Sequence, residues 1–121
     1  MRPPLSILVY GRDIHLIETR RWVLEHAGFA VSTTLELRDA EDRIDADHFD
    51  LFILCHTLSA EECTSILANV HSRHPEMKIL ILSRSRPDCG SKDDFVLSAF
   101  ATPQALISTV SGLISMPVAA A

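Results

Sequence analysis

Hydrophobic and polar positions follow two alternating patterns along this chain. Short continuous apolar runs, typical of strands buried on both faces, alternate with longer stretches whose apolar residues recur every three or four positions. The apolar runs predict strands at 5–10, 29–32, 50–55, 78–83 and 94–97. This alternation predicts a parallel sheet with amphipathic helices packed on both of its faces.

The longer stretches carry signals for where helices begin and end. They predict helices at 14–27, 37–46, 59–74 and 102–114. Gly28 occupies the position at which a glycine commonly ends a helix. Ser59 and Glu62 form a capping-box pattern before the third helix, and Thr102 with Pro103 supplies an N-cap and a first-turn proline for the last.

Length and composition indicate one compact domain over residues 1–121, with a core from about 5 to 114. The chain has 121 residues, of which 47% are hydrophobic. Eleven Lys and Arg against sixteen Asp and Glu give a net charge of −5, which argues against a nucleic-acid partner. No apolar run approaches the ~20 residues of a membrane span, and no signal peptide is recognisable. We therefore expect a cytoplasmic protein without a membrane partner.

The cysteines show no pattern of a metal or disulfide framework. Cys55, Cys63 and Cys89 are odd in number and lack metal-ligand spacing. We expect reduced, mostly structural thiols, with Cys63 in the core and Cys89 exposed. No motif predicts a cofactor.

The chain resembles a known family in the order and length of these elements. The resemblance includes Cys55 at the end of a buried central strand and Ser83 at the end of the fourth strand. From about Leu5 to Ile114 the chain resembles the response regulator receiver domain. The resemblance implies a flavodoxin-like fold, a doubly wound sheet of five parallel strands in order 2-1-3-4-5 with the functional cleft at their carboxyl ends. The segment 84–93 is too short for a full crossover helix, so the fourth helix is expected to be short or absent.

The residues that differ from the receiver pattern are those that would bind the metal ion and accept the phosphoryl group. Receiver domains place a phosphoacceptor Asp where this chain has Cys55, and a metal-binding acidic pair where it has Gly11 and Arg12, with Asp13 just beyond. An aspartyl phosphate needs a carboxylate nucleophile, and Mg²⁺ is usually held by one or two carboxylates together with phosphate oxygens. The expected consequence is a site without receiver phosphoryl chemistry.

Two further positions differ and one matches. Ser83 stands where receivers have Thr or Ser, whereas Ser98 and Ala99 replace a Lys and a cis-proline. The loss of that lysine removes the cation that would pair with an acyl phosphate, and Ala99 makes a cis peptide improbable.

Our first functional hypothesis is a stand-alone pseudo-receiver in two-component-type signalling. It would be no enzyme and would act by phosphorylation-independent binding to a histidine kinase, another regulator or a second copy of itself. The predicted contact surface consists of Phe95, Leu97 and Phe100. A shortened helix would leave some of the apolar side chains on the fourth and fifth strands partly uncovered, and the strand register decides which of Ile79, Ile81, Phe95 and Leu97 these are.

Two alternatives come from other functional classes. One is a thiol enzyme or redox sensor centred on Cys55, with Arg12 near enough to lower its pKa. Packing as a small hydrophobe is the competing explanation, and strand alternation is expected to send His56 to the opposite face. The other is a binder of a small anion at Gly11, Arg12, Asp13 and Ser83.

Overall fold

The computed structural model describes residues 5–83 and 95–115 and contains one parallel sheet. Its elements in chain order are β1 (Ser6–Tyr10), α1 (Ile14–His26), β2 (Ala30–Thr34), α2 (Leu37–Ala46), β3 (Leu51–Leu54), α3 (Ala60–Arg73), β4 (Ile79–Ser83), β5 (Phe95–Ser98) and α4 (Pro103–Ser115). The strand order is β2-β1-β3-β4-β5. The predicted flavodoxin-like arrangement is confirmed.

The sheet has a hydrophobic core on each face, which explains the continuous apolar runs. Ile7, Val9 and Ile53 pack on the face that α1 and α4 cover, while Leu8 and Phe52 pack on the face that α2 and α3 cover. Successive strand residues point to opposite faces, so a strand buried on both sides must be apolar throughout. Each fully buried side chain of this size contributes roughly 1.5–3 kcal/mol.

The helix-end signals act as predicted. Gly28 adopts a φ of 99°, a conformation that glycine tolerates and that ends α1. Ser59 and Glu62 form both bonds of the capping box at α3, and Thr102 Oγ1 accepts a hydrogen bond from the Ala105 backbone nitrogen at 3.1 Å.

The structure differs from the sequence-based predictions in the length of β2 and in the burial of β4. β2 runs to Thr34, two residues beyond the predicted end, because Thr34 still pairs with Tyr10 of β1. Of the four residues expected to be partly uncovered, Ile79 and Ile81 are only 1% and 4% exposed and pack in the core beneath α3, so the prediction is wrong for them, whereas Phe95 and Leu97 are partly exposed. Residues 84–94 lie outside the described residues, as does the predicted shortened helix between β4 and β5.

The cysteine prediction is wrong in one respect. Cys63 is buried on α3 as expected, but it is disulfide-bonded, whereas Cys55 is a free thiol. Sequence spacing alone does not show which sulfur atoms the fold brings together. Cys89 lies outside the described residues.

Candidate functional site

The sheet places the sequence-predicted positions at the carboxyl ends of its strands. Tyr10 pairs with Leu54, so Gly11 and Cys55 follow the ends of adjacent strands, and the Cys55 backbone nitrogen donates to the Tyr10 carbonyl at 2.9 Å. Parallel strands therefore bring these two positions together at the edge where flavodoxin-like folds form their clefts.

The positions on β4 and β5 meet in the same way. Ser83 pairs with Ser98, and the Ala99 backbone nitrogen donates to the Ser83 carbonyl at 2.8 Å. Ser98 Oγ accepts a hydrogen bond from the Phe100 backbone nitrogen at 3.1 Å. Ser98 thus stabilises the local turn in the place that the resemblance gives to a lysine.

Cys55 and Gly11 share one small space. A Cβ atom on Gly11 would lie 2.9 Å from Cys55 Cβ, 2.9 Å from Ile17 Cγ2 and 3.2 Å from Cys55 Sγ. Cys55 itself is 3% exposed, and burial raises the pKa of its thiol, an effect that the charge and hydrogen bond of Arg20 oppose. The thiol is therefore packed and mainly protonated, and glycine at position 11 leaves room for it.

The arginine beside Cys55 is Arg20, which sequence reasoning missed. Arg20 lies on α1 and is 9% exposed. Its Nη2 is 3.5 Å from His56 Nδ1, and its charge acts on the Cys55 thiol, whose pKa it lowers against the effect of burial. Its buried Nη1 has no hydrogen-bond partner among the residues that the structure describes. The signal was present in the sequence, because Arg20 lies between Ile17 and Leu24 on the apolar side of the helix.

Two expectations about this thiol are therefore wrong. Arg12 was expected near Cys55, but its guanidinium pairs with Glu62 on α3. His56 was expected on the opposite face from Cys55, yet its Nδ1 lies 3.5 Å from Nη2 of Arg20, the same residue whose charge acts on the Cys55 thiol. β3 ends at Leu54, so strand alternation no longer controls the two residues that follow it.

Arg12 is the centre of a separate polar cluster. Its Nε is 3.1 Å from Glu62 Oε2, its Nη1 donates to the Leu35 carbonyl at 3.2 Å, and its backbone nitrogen donates to Thr57 Oγ1 at 2.9 Å. The Tyr10 hydroxyl donates to the same Glu62 oxygen at 3.3 Å. Burial, helped by the Glu62 charge, raises the pKa of Tyr10 to about 12. At neutral pH this hydroxyl is a donor.

Glu62 supplies the negative charge of that cluster. Its burial acts to raise its pKa, but the hydrogen bonds with Ser59, the Arg12 charge and the Tyr10 hydroxyl outweigh burial and hold the pKa of Glu62 below its ordinary value. Glu62 is therefore ionised at neutral pH and compensates Arg12.

Asp13, the carboxylate nearest to the predicted metal position, is used as a helix cap. Its Oδ1 accepts the His15 backbone N–H at 2.9 Å and the Leu16 backbone N–H at 3.3 Å at the start of α1. Across residues 5–83 and 95–115, no three His, Cys, Asp or Glu side chains form a group that could hold a metal ion. The same residues contain no cis peptide bond.

The predicted contact residues divide into two kinds. Phe95 and Leu97 are half-buried and pack against the core beneath α1 and α4. Phe100 is 75% exposed, and Val96, which sequence analysis did not select, is 49% exposed. None of the helices in the described part of the chain has the length and apolar character needed to cross a membrane.

These features define a doubly wound α/β fold with five parallel strands, and known structures share that fold. A CheY-like receiver domain protein from Methanospirillum hungatei is similar with a TM-score of 0.79 and 18% identity, covering 93% of this chain and 94% of that chain. A response regulator receiver protein from Sinorhizobium medicae gives 0.74 and 20%, covering 92% and 94%.

A third similar structure comes from a complex. A chain in the crystal structure of the histidine kinase ThkA with the response regulator protein TrrA is similar with a TM-score of 0.75 and 18% identity, covering 92% of this chain and 99% of that chain. No family model matches the sequence, and no curated protein matches it. The likeness therefore concerns the fold.

Proposed function

We propose that this chain is a pseudo-receiver that acts in two-component-type signalling by phosphorylation-independent binding to another protein. The observation that carries this proposal is the buried Cys55 thiol packed against Gly11 at the acceptor position. A thiol cannot form the aspartyl phosphate of receiver chemistry, and glycine offers no oxygen to Mg²⁺. The fold is kept, and the groups that the reaction needs are replaced.

The electrostatics of the Arg12 cluster support the same conclusion. Arg12 and Glu62 compensate each other, so Glu62 is already engaged by a cation that belongs to the chain. A metal ion brought to this place would meet the guanidinium charge, and like unit charges ~4 Å apart repel by about 4 kcal/mol at an effective dielectric near 20. Asp13 caps α1 and would have to release that role.

Ligand-dependent stability tests the proposal. We expect Mg²⁺ with beryllofluoride to leave the melting temperature unchanged. Any ligand of the native state would stabilise it by about 2.7 kcal/mol at about a hundredfold excess over its Kd. Cys55→Asp should remain unresponsive too, because Gly11 and Arg12 still provide no metal ligand. A clear rise of the wild-type melting temperature, seen only when both reagents are present, would refute the proposal.

For the partner surface we propose the region around Phe100 at the end of β5. An aromatic side chain that is 75% exposed, next to the exposed Val96, is suited to bury apolar area in a contact. The similar chain from the kinase and regulator complex supports a protein as the partner: a histidine kinase, another regulator or a second copy. Phe95 and Leu97 would support Phe100 from the core side.

Substitution of Phe100 tests this surface. Phe100→Asp should abolish self-association in light scattering, or capture of a purified kinase or regulator, while circular dichroism stays unchanged. Trp22→Gln is the matched control, since Trp22 is 62% exposed on α1. Retained binding by Phe100→Asp, or equal loss in both variants, would place the contact elsewhere.

We also propose a cytoplasmic location. The location fits a signalling partner such as a histidine kinase or regulator. The disulfide at Cys63 is the observation that weighs against it, because structural disulfides are rare in reducing compartments.

A further inference from the structure

A groove opens at the β2 edge of the sheet, between the first turns of α1 and α2. It has a volume of about 310 Å³, and its apolar residues are Ile14 and Ile17 of α1 and Leu35, which follows β2. Ile17 is 2% exposed and forms the floor, whereas Ile14 is 51% exposed at the mouth. A half-exposed isoleucine beside a concave apolar surface provides area that a side chain of another molecule can bury.

The charged side chains that line this groove are all carboxylates. They belong to Glu18 on α1, to Glu36 at the N-cap position of α2 and to Asp39 in the first turn of α2. Within the described part of the chain, no Lys, Arg or His side chain lines the groove. The groove therefore combines an apolar floor with an acidic rim.

Asp39 already has partners for its charge. Its Oδ2 accepts hydrogen bonds from Thr34 Oγ1 at 2.5 Å and from Arg43 Nε at 2.9 Å. These hydrogen bonds, that of Thr34 first, hold the pKa of Asp39 below its ordinary value. Asp39 is therefore ionised at neutral pH, and Arg43 compensates its charge.

The other two carboxylates of the rim are weakly paired or free. Glu18 Oε2 is 3.5 Å from Arg21 Nη1, in a half-exposed pair whose arginine also binds Glu25. Exposed pairs of this kind contribute little. The exposed Glu36 carboxylate makes no capping bond and has no hydrogen-bond or ion-pair partner among residues 5–83 and 95–115. Glu36, and to a lesser degree Glu18, can thus pair with cations of a bound molecule.

We propose that this groove binds a basic, amphipathic segment of a partner protein. The segment places one aliphatic side chain beside Ile14 and Lys or Arg side chains against the Glu36 and Glu18 carboxylates. Charge complementarity selects this occupant, because an acidic rim attracts a cationic segment and repels an anionic one. The inference goes beyond the proposed contact at Phe100 and does not depend on it, since β2 and β5 are the opposite edges of the sheet.

The size and charge of the groove argue against other occupants. A volume of about 310 Å³ is at the lower end for small-molecule pockets, and the half-exposed Ile14 leaves the groove open, whereas such pockets enclose most of their ligand. A second copy of the chain carries the same net charge of −5, so its overall field is repelled by an acidic rim. The surface at Phe100 differs, because residues 95–115 contain no charged side chain with which to select a partner.

The test uses the whole chain and a fluorescent peptide in which leucines recur at helical spacing and most other residues are lysine. Two counterparts separate the contributions: one has glutamate in place of every lysine, and the other has serine in place of every leucine. Fluorescence anisotropy measures the three dissociation constants. We expect the leucine–lysine peptide to bind, its affinity to fall as salt is raised, and both counterparts to bind about tenfold more weakly.

Substitutions in the groove have matched controls. Glu36→Gln should weaken binding about two- to fivefold, as expected for one exposed ion pair, whereas Glu61→Gln makes the same change of charge on α3 and should leave the affinity unchanged. Ile14→Ser should weaken binding about tenfold, because the apolar area at the mouth is lost. Leu5→Ser changes a residue of similar exposure before β1 and should bind like wild type.

The position of the bound peptide is measured by the amide resonances of the chain, and those of Thr33 and Leu35 should shift on titration. Shifts that centre on Phe100 instead would overturn the inference. It would also be overturned by no binding of the leucine–lysine peptide, by equal binding of either counterpart, or by wild-type affinity in both Glu36→Gln and Ile14→Ser. Both substituted side chains are exposed, and circular dichroism confirms that each variant is folded.

Discussion

Two arginine clusters lie at the same end of the sheet and handle charge in opposite ways. In the Arg12 cluster, formed by Arg12, Glu62 and Tyr10, a half-exposed guanidinium is paired with an ionised carboxylate. In the Arg20 cluster, formed by Arg20, Cys55 and His56, a buried guanidinium contacts a histidine ring and acts electrostatically on a mainly protonated thiol. The first pairs a cation with an anion, whereas the second contains no anion among the residues that the structure describes.

This difference supports our proposal that the chain has a receiver-like fold without receiver phosphoryl chemistry. The Arg12 cluster fills the expected metal position with a cation and anion from the chain itself. The Arg20 cluster places a cation of α1 near Cys55, the residue at the position of the receiver phosphoacceptor. Residue Gly11 stands between them, and the space beside it is filled by Cys55.

The largest effect on stability is expected from Gly11→Ala, because Gly11 lies between the two clusters and beside Cys55. The new Cβ would approach Cys55 Cβ to 2.9 Å, and because a Cβ cannot rotate away, the backbone must shift. Overpacking of this kind costs about 1–3 kcal/mol. Gly112→Ala on α4 is the control: apart from its chain neighbours and the nearby backbone of its own helix, no described atom lies within 4 Å of its added Cβ, and alanine should gain up to about 1 kcal/mol. Equal stability of the two variants in denaturant unfolding would show that the thiol is not tightly packed.

The next effect concerns the anion of the Arg12 cluster. Glu62→Gln should lose about 1–2 kcal/mol at pH 7, since charge-assisted hydrogen bonds are removed. Because the folded pKa of Glu62 is depressed, its contribution is present above the unfolded value of 4.5 and is lost as pH falls through the folded pKa. Wild type should therefore lose more stability than Glu62→Gln on acidification below pH 4.5. Parallel stability curves for the two proteins would contradict this assignment.

The smallest effects compare the two arginines directly. Arg12→Met should cost less than about 1 kcal/mol, because its ion pair is half exposed to solvent. Arg20→Met should be neutral or stabilising by about 1 kcal/mol, because methionine fills the space without burying a charge. Thermal unfolding of both variants measures which of the two substitutions lowers stability more. An Arg20→Met protein less stable than Arg12→Met would mean that Arg20 already has adequate partners.

Local signals in the sequence predicted most of the fold. The bounds of α2 at 37–46 and the capping box of Ser59 and Glu62 follow from short-range pattern and hydrogen-bonding rules. The strand order came through the resemblance. The end of β2 was misjudged because pairing of Thr34 with Tyr10 extends the strand beyond its apolar residues.

The sequence predicted which positions lie together at the site, but it predicted less well which side chains contact one another. Gly11 and Cys55 lie together as expected, since they follow adjacent parallel strands. The partner of Arg12 is Glu62, on a helix fifty residues later, and no local pattern identifies such a pair. The role of Arg20 depends on the packing of α1, which brings its guanidinium to His56 just beyond the end of β3. Long-range contacts of charged side chains are what the sequence pattern leaves undetermined.

Phosphorylation of the intact protein tests most directly our proposal that this site cannot carry a receiver's phosphoryl group. The intact protein is incubated with acetyl phosphate and Mg²⁺, and its mass is recorded without acidification or prolonged handling, beside an active receiver domain as positive control. We predict no species heavier by one phosphoryl group, because Cys55 replaces the carboxylate nucleophile and Gly11 and Arg12 replace the metal-binding acids. A phosphorylated fraction that depends on Mg²⁺ would contradict the claim.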